Sequence, residues 1–252
     1  MTASEVEGYM LQLRNEEQAQ QLRRFFKTAP GEYGYGDMFL GLKVPQTRMV
    51  AKAAGNDVSI DEAINLLASP WHEVRLCGLM LMCRRFERLA TIRLEHDESA
   101  TCERDTIVQR YLDHADRVNN WDLVDLSAPQ IVGRWLMLPS FINDKQAILD
   151  TLAMSGNLWQ QRISMVCVLE PLRRGDPLWC LRYAEMHLAH PHDLMHKAVG
   201  WMLREMGKHV STDLLRSFLD QHLPQMSRTT LRYAIERLPD DERQRWLKRP
   251  IK

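Results

Sequence analysis

The sequence predicts an all-α protein, and three observations carry that expectation. Nearly every stretch between breakers repeats its apolar residues at intervals of three and four, the period of a helix with one buried face. Ser, Thr, Asp or Asn precedes many of these runs and Gly or Pro closes several, where helix capping needs them. Equivalent helices also recur 35 residues apart, as Arg162, Lys197 and Arg232 mark, which is the spacing of stacked helical pairs.

Taken in order, residues 1–44 read as an N-terminal helix followed by "TAPGEYGYGDMFLGLKVP", the longest non-periodic stretch. Its glycines follow no strand and miss the GxGxxG spacing, so it reads as a compact loop against the first helices and not as a nucleotide loop. Helical runs then fill 45–240. "SIDEAINLLAS" opens on a capping serine, "WHEVRLCGLMLMCRRF" is long and apolar, and the charged "ERLATIRLEHDESATCERD" separates it from the next run. In "VNNWDLVDLSAPQIVG", Asn119 or Asn120 caps a helix whose first turn holds Asp122, an acid suited to the helix dipole. Trp121 and Asp125 are four apart and share a face of it. "DKQAILDTLAMS", "LWQQRISMVCVLEPL", "DPLWCLRYAEMHLA", "DLMHKAVGWMLREMG", "STDLLRSFLDQHL" and "SRTTLRYAIERL" complete the series, with 241–252 as a C-terminal tail. The whole chain, 1–252, reads as one domain of such pairs.

The 252 residues are 45% hydrophobic, enough for a substantial core. Lys plus Arg and Asp plus Glu both number 33, so no global charge advertises a polyanion. Residues 151–252, however, carry 16 cations against 11 acids, which leaves the first 150 residues net acidic. The five cysteines form no CxxC and sit mostly among apolar residues, as reduced core thiols of a cytoplasmic protein do. The opening "MTASEVEGYM" lacks a basic and then apolar signal, and no apolar run is long enough for a membrane span, so secretion and membrane insertion are not expected.

In a helical-pair solenoid the inner helices present equivalent positions in a row along the concave surface. Asp125 lies 37 residues before Arg162, and Arg75 a further 50 back. The row is then Arg75, Asp125, Arg162, Lys197 and Arg232, with Trp121, Trp159 and Trp201 in the same column. Cations, aromatics and one carboxylate suggest a groove for an extended polyanion with chemistry at one point. Blander readings stand beside it: tryptophans as core, the cations as a solvated face, Asp125 as a helix salt bridge. His192 and His196 share a helix face beside His187 and His190, but no Cys or acid completes a ligand set, and no metal is expected. No GxSxG, Cys–His pairing or HExxH appears, and nothing calls for a cofactor.

Four segments, "FLGLKVPQTR", "NNWDLVDLSAPQIVG", "NLWQQRISMV" and "HKAVGWMLRE", make the sequence resemble the AlkD-type DNA alkylation repair glycosylases over about residues 36–240. These are HEAT-like repeat proteins, so the resemblance implies a right-handed superhelical solenoid with a concave basic groove. It implies a monofunctional hydrolase of N-glycosidic bonds, acting on double-stranded DNA that carries N3- or N7-alkylated purines such as 3-methyladenine and 7-methylguanine. From the residues themselves no cofactor is expected, a closed solenoid with polar ends would function as a monomer, and the location is expected to be cytoplasmic, at the nucleoid when acting on DNA. Residue by residue, Asp125 matches the catalytic aspartate of the W-D-x-V-D motif and Trp121 its tryptophan; Arg162 matches the arginine of W-x-x-R, and Trp201 the tryptophan of K-A-x-G-W. Asp125 is expected to stabilise the oxocarbenium and place a water, Trp121 and Trp201 to pack on deoxyribose, and Arg162 to hold a phosphate. Lys197, Arg232 and Arg75 are further phosphate candidates, with Trp159 beside them. "GEYGYGD" departs from the aromatic N-terminal segment of well-known members, so no contact is carried over there. Two alternatives remain: a non-catalytic DNA-binding scaffold, since the family has paralogues without glycosylase activity, and a protein-interaction solenoid with an apolar peptide groove.

Overall fold

A computed structural model describes residues 1–55 and 57–250. Among them the regular structure is helical, and the one β feature is an isolated bridge between Met38 and Trp71. The all-α expectation therefore holds. None of the described helices is long and apolar enough to cross a membrane.

The chain forms two compact units, the first of Met1–Ile131 with Leu138–Phe141, the second of Val132–Met137 and the chain from Ile142 onward. The first holds α1 (Ala3–Gln12), α2 (Glu16–Phe25), α3 (Val44–Ala54), α4 (Ile60–Asn65), α5 (His72–Leu89), α6 (Glu98–Asp113) and α7 (Trp121–Ser127). The second holds α8 (Arg134–Leu136), α9 (Lys145–Met154), α10 (Leu158–Val166), α11 (Leu169–Arg173), α12 (Leu178–His187), α13 (Asp193–His209), α14 (Thr212–His222), α15 (Arg228–Ala234) and α16 (Asp240–Lys248).

Capping fixes most of these boundaries. Side chains of Asn15, Ser59, Asp97, Asp144, Asn157, Ser211 and Ser227 each accept an N–H from the first turn of the helix they precede. Such a cap contributes about 1 kcal/mol. Two differences from the sequence reading lie at the ends. Residues 1–44 contain two helices, and the segment read as a tail contains α16, which starts on three acids, ends on Arg245 and Lys248, and buries Trp246. One apolar anchor among charges gives no visible period, yet the acids and bases complement the helix dipole at both ends.

In the first unit α5 is the central element, with α3, α4, α6 and α7 packed on it. Val74, Cys77, Leu79, Met82 and Phe86 are fully buried there. Next to them the buried Glu73 carboxylate accepts the N–H groups of Leu40, Gly41 and Leu42 at 2.9, 2.8 and 3.1 Å, and so ties "FLGL" to the start of α5. Gly41 has φ +89°, and a Cβ there would lie 2.0 Å from the Asn15 carbonyl oxygen, so the motif requires glycine at this point.

The second unit realises the 35-residue period. α9–α10, α12–α13 and α14–α15 are successive pairs, and their second members stand side by side, α10 against α13 and α13 against α15. Gly200 allows the last of these contacts: a Cβ on it would meet the Thr230 carbonyl oxygen and the Tyr233 Cβ, each at 2.5 Å. Gly200→Ala is therefore expected to destabilise the protein by about 1–3 kcal/mol, the usual cost of overpacking, readable as a lowered denaturant midpoint. An unchanged midpoint would mean that α15 yields freely.

Candidate functional site

α7 positions the first part of the site. Asn120 caps it, its side-chain oxygen accepting the Trp121 N–H at 2.9 Å. Trp121 and Asp125 then fall on successive turns and are both half-buried. The indole stacks on Phe26 (centroids 5.5 Å apart, planes at 27°) and meets the edge of Phe25 at 5.9 Å. Phe26 in turn stacks on Phe39 at 5.2 Å. Trp121 is thus a wall braced from behind by an aromatic cluster of the first unit. After Ser127 the backbone passes into a π-helical turn, Pro129–Gly133. Pro129 has no N–H to give the Asp125 carbonyl in the α-helical pattern, which explains why the ladder changes register just here.

The same α7 turn is clamped by charge. His72, the first residue of α5, has Nδ1 2.9 Å from an Asp37 oxygen and Nε2 2.8 Å from an Asp122 oxygen. Asp37 also accepts from Arg75, which donates as well to the carbonyls of Ser69 and Pro70 at 3.1 Å each. A neutral imidazole has a single N–H to give, so carboxylates on both sides require the imidazolium. Burial opposes that charge, but Asp122 and then Asp37 outweigh it and push the His72 pKa up to about 9. Burial likewise works against the Asp37 carboxylate, yet hydrogen bonding to His72 and the charges of Arg75 and His72 hold it below the usual range. The ring also stacks on Phe39 at 4.7 Å and lies 4.9 Å from Phe26. One cluster therefore backs the Trp121 ring and grips the first turn of α7. Asp122, expected only as a dipole acid, is half of that grip.

Arg75, expected as a phosphate candidate, does not reach the surface. It is buried and spent on Asp37 and two carbonyls, because "GEYGYGD" brings its last residue into the core opposite it. In the second unit Trp159 is also buried, a first-turn residue of α10 lying in the core and not on an open face. Arg162 is buried too, and its Nη1 donates to the Leu194 carbonyl at 2.5 Å, which joins α10 to the first turn of α13. The motif suggested an open phosphate clamp; in the fold the residue is only 4% exposed. Three expected residues do reach the surface of this unit. Lys197 is half-exposed and pairs with Asp193 at 2.8 Å, Trp201 is half-buried one turn later, and Arg232 is exposed on α15.

The histidines around the start of α13 serve the backbone. His192 caps the helix, its Nδ1 accepting the Leu194 N–H at 3.1 Å; His190 Nδ1 accepts the His192 N–H at 3.0 Å; His196 Nε2 donates to the His190 carbonyl at 2.5 Å. Among the described residues no group of three or more His, Cys, Asp or Glu side chains could hold a metal ion. Burial pushes His187 down to about 4, with His190 adding to the shift, and lowers His190 and His192 as well.

The sequence profile of a family described as DNA alkylation repair enzyme matches residues 7–238. The chain belongs to the DNA alkylation repair enzyme family. Among solved structures, a predicted DNA alkylation repair enzyme from Enterococcus faecalis shares its fold with a TM-score of 0.67 at 14% identity, over 90% of this chain and 97% of that one. No curated protein matches the chain in sequence. The family assigns the protein a role in DNA repair, and the motif-level resemblance and the fold agree with it. The family is named for an enzyme of DNA alkylation repair.

Proposed function

We propose that this family member is a monofunctional DNA glycosylase that hydrolyses the N-glycosidic bond of N3- and N7-alkylated purines in duplex DNA, with Asp125 at its centre. The observation that carries the reading is the pairing on α7: a half-buried carboxylate one helical turn from a tryptophan whose ring is fixed from behind. An alkylated purine already bears positive charge. When the C1′–N bond breaks, the electron pair leaves with the base and neutralises it, so no strong general acid is needed. The sugar is left with oxocarbenium character, which a preorganised carboxylate in a partly desolvated site stabilises. Water, oriented by Asp125, adds to C1′ and gives up its proton to the solvent, so that neutral base, abasic sugar and one proton are the products. The face of Trp121 offers its negative quadrupole to the same developing charge.

Trp201, Lys197 and Arg232 of the second unit are the DNA contacts in this reading, Trp201 against sugar and the two cations against phosphate. Arg75 and Arg162 contribute through the hydrogen bonds they hold, and Trp159 through its place in the core. The test is to incubate the protein with methylated duplex DNA and chromatograph what is freed. Release of 3-methyladenine and 7-methylguanine, with abasic sites left in unbroken strands, is expected. DNA that is bound with no base released would make the protein a non-catalytic scaffold.

A further inference from the structure

α13 carries more than Lys197 and Trp201. Arg204 and Lys208 come next at spacings of three and four, so the four side chains form a stripe along one face of a single 17-residue helix. At the C-terminal half of the stripe lies an open cavity of about 670 Å³. Its wall includes Arg204 and Lys208 of α13, Thr212 and Arg216 of α14, and Arg237 just beyond α15, all within the second unit. Four cations from three elements thus face one space.

The acids around them fall into two kinds. Glu205 and Glu242 are 8% and 13% exposed; Glu205 holds Arg204 at 3.2 Å and Lys208 at 3.8 Å, and Glu242 holds Arg216 at 2.8 Å. Glu236 and Asp213 are 59% and 87% exposed, and each pairs with a cation of the wall, Arg204 and Arg216 respectively, from the solvent side. In these pairs the acid is solvated while its cation is more covered, Arg204 being 18% and Arg216 39% exposed, so each is worth on the order of 1 kcal/mol. An arriving anion can displace Glu236 and Asp213 at small cost, while Glu205 and Glu242 keep the cationic groups aimed.

We propose that this cavity is a second seat for the DNA backbone, in which a phosphodiester takes donors of Arg204, Lys208 and Arg237 as Glu236 swings out. The inference rests on the DNA-binding reading above and adds to it a place and a ligand chemistry. Continuity argues for DNA over a free anion: Lys208 is about 16 Å along the helix axis from Lys197, which is about five nucleotides of one strand at 3.4 Å each.

The test is equilibrium binding of undamaged duplex DNA across a salt series. Wild type is compared with Lys208→Ala/Arg237→Ala, Glu236→Gln and, as a control outside the cavity, Arg232→Ala; all four positions are exposed, so the fold is retained. The double variant is expected to bind more weakly and to lower the salt slope by about one for each phosphate it no longer neutralises. Glu236→Gln is expected to tighten binding a few-fold, since no rim charge has to leave. An unchanged slope in the double variant together with unchanged affinity in Glu236→Gln overturns the seat; if Arg232→Ala still lowers the slope, the DNA reading stands without it. A wild type that binds no duplex overturns both.

Discussion

Asp125→Asn is expected to slow release of 3-methyladenine from methylated duplex DNA by about 100-fold or more under single-turnover conditions, with DNA affinity within a few-fold of wild type. The amide is isosteric, so α7, its Asn120 cap and the Trp121 wall should persist. What it removes is the negative charge facing a cationic sugar, an interaction stronger in the transition state than in the ground state, and a loss of that kind appears in the chemical step. Equal rates for the two proteins would remove Asp125 from the mechanism.

His72→Ala is expected to cost about 3–5 kcal/mol of stability, the range for breaking a buried pair and leaving its partner charge uncompensated. Arg75 still faces Asp37 in that variant, but Asp122 loses the cation 2.8 Å away and Phe39 loses a stacked ring. The first turn of α7, with Trp121 and Asp125, loosens as a result. The clamp also has a pH signature. The folded pKa of His72, about 9, lies above the ordinary 6.5, so its contribution is fully present below about 6.5 and is lost as pH rises through 9. The difference amounts to something on the order of 3 kcal/mol. Urea midpoints between pH 6 and 9.5 should fall more steeply for wild type than for His72→Gln; parallel curves would show that His72 carries no proton in the fold.

The acid side has the opposite sign. His187, pushed down to about 4 by burial, leaves the fold at full stability above about 6.5 and withdraws stability as pH falls toward 4. The two histidines thus act on opposite sides of neutrality because of what surrounds each ring: two carboxylates at His72, and burial beside the Ser164 hydroxyl and the His190 ring at His187.

Local chemistry is legible in the sequence. Caps, helical period and the 35-residue recurrence of Arg162, Lys197 and Arg232 depend on neighbours a few residues apart or on repetition, and the helices that carry them are where the period puts them. Trp121 and Asp125 can be found together for the same reason, being one turn apart on one helix. The clamp is not legible, since Asp37, His72 and Asp122 are separated by 35 and 50 residues and meet only once α5 and α7 pack. Period alone also leaves open whether a face is covered, which is why Arg75, Arg162 and Trp159 look open in the sequence and are buried in the fold. The long interval before Asp125 is the signal that Arg75 stands outside the regular repeat.

The most direct test of the central claim is affinity for a transition-state mimic. Duplex DNA containing a cationic 1-azadeoxyribose in place of the damaged nucleotide is compared with the same duplex carrying neutral tetrahydrofuran, for wild type and Asp125→Asn. Wild type should prefer the cationic sugar by about 100-fold or more, and the variant should lose most of that preference while binding the neutral duplex normally. The same preference in both proteins would contradict the account, because the charge at Asp125 would then have no part in recognising the cationic sugar.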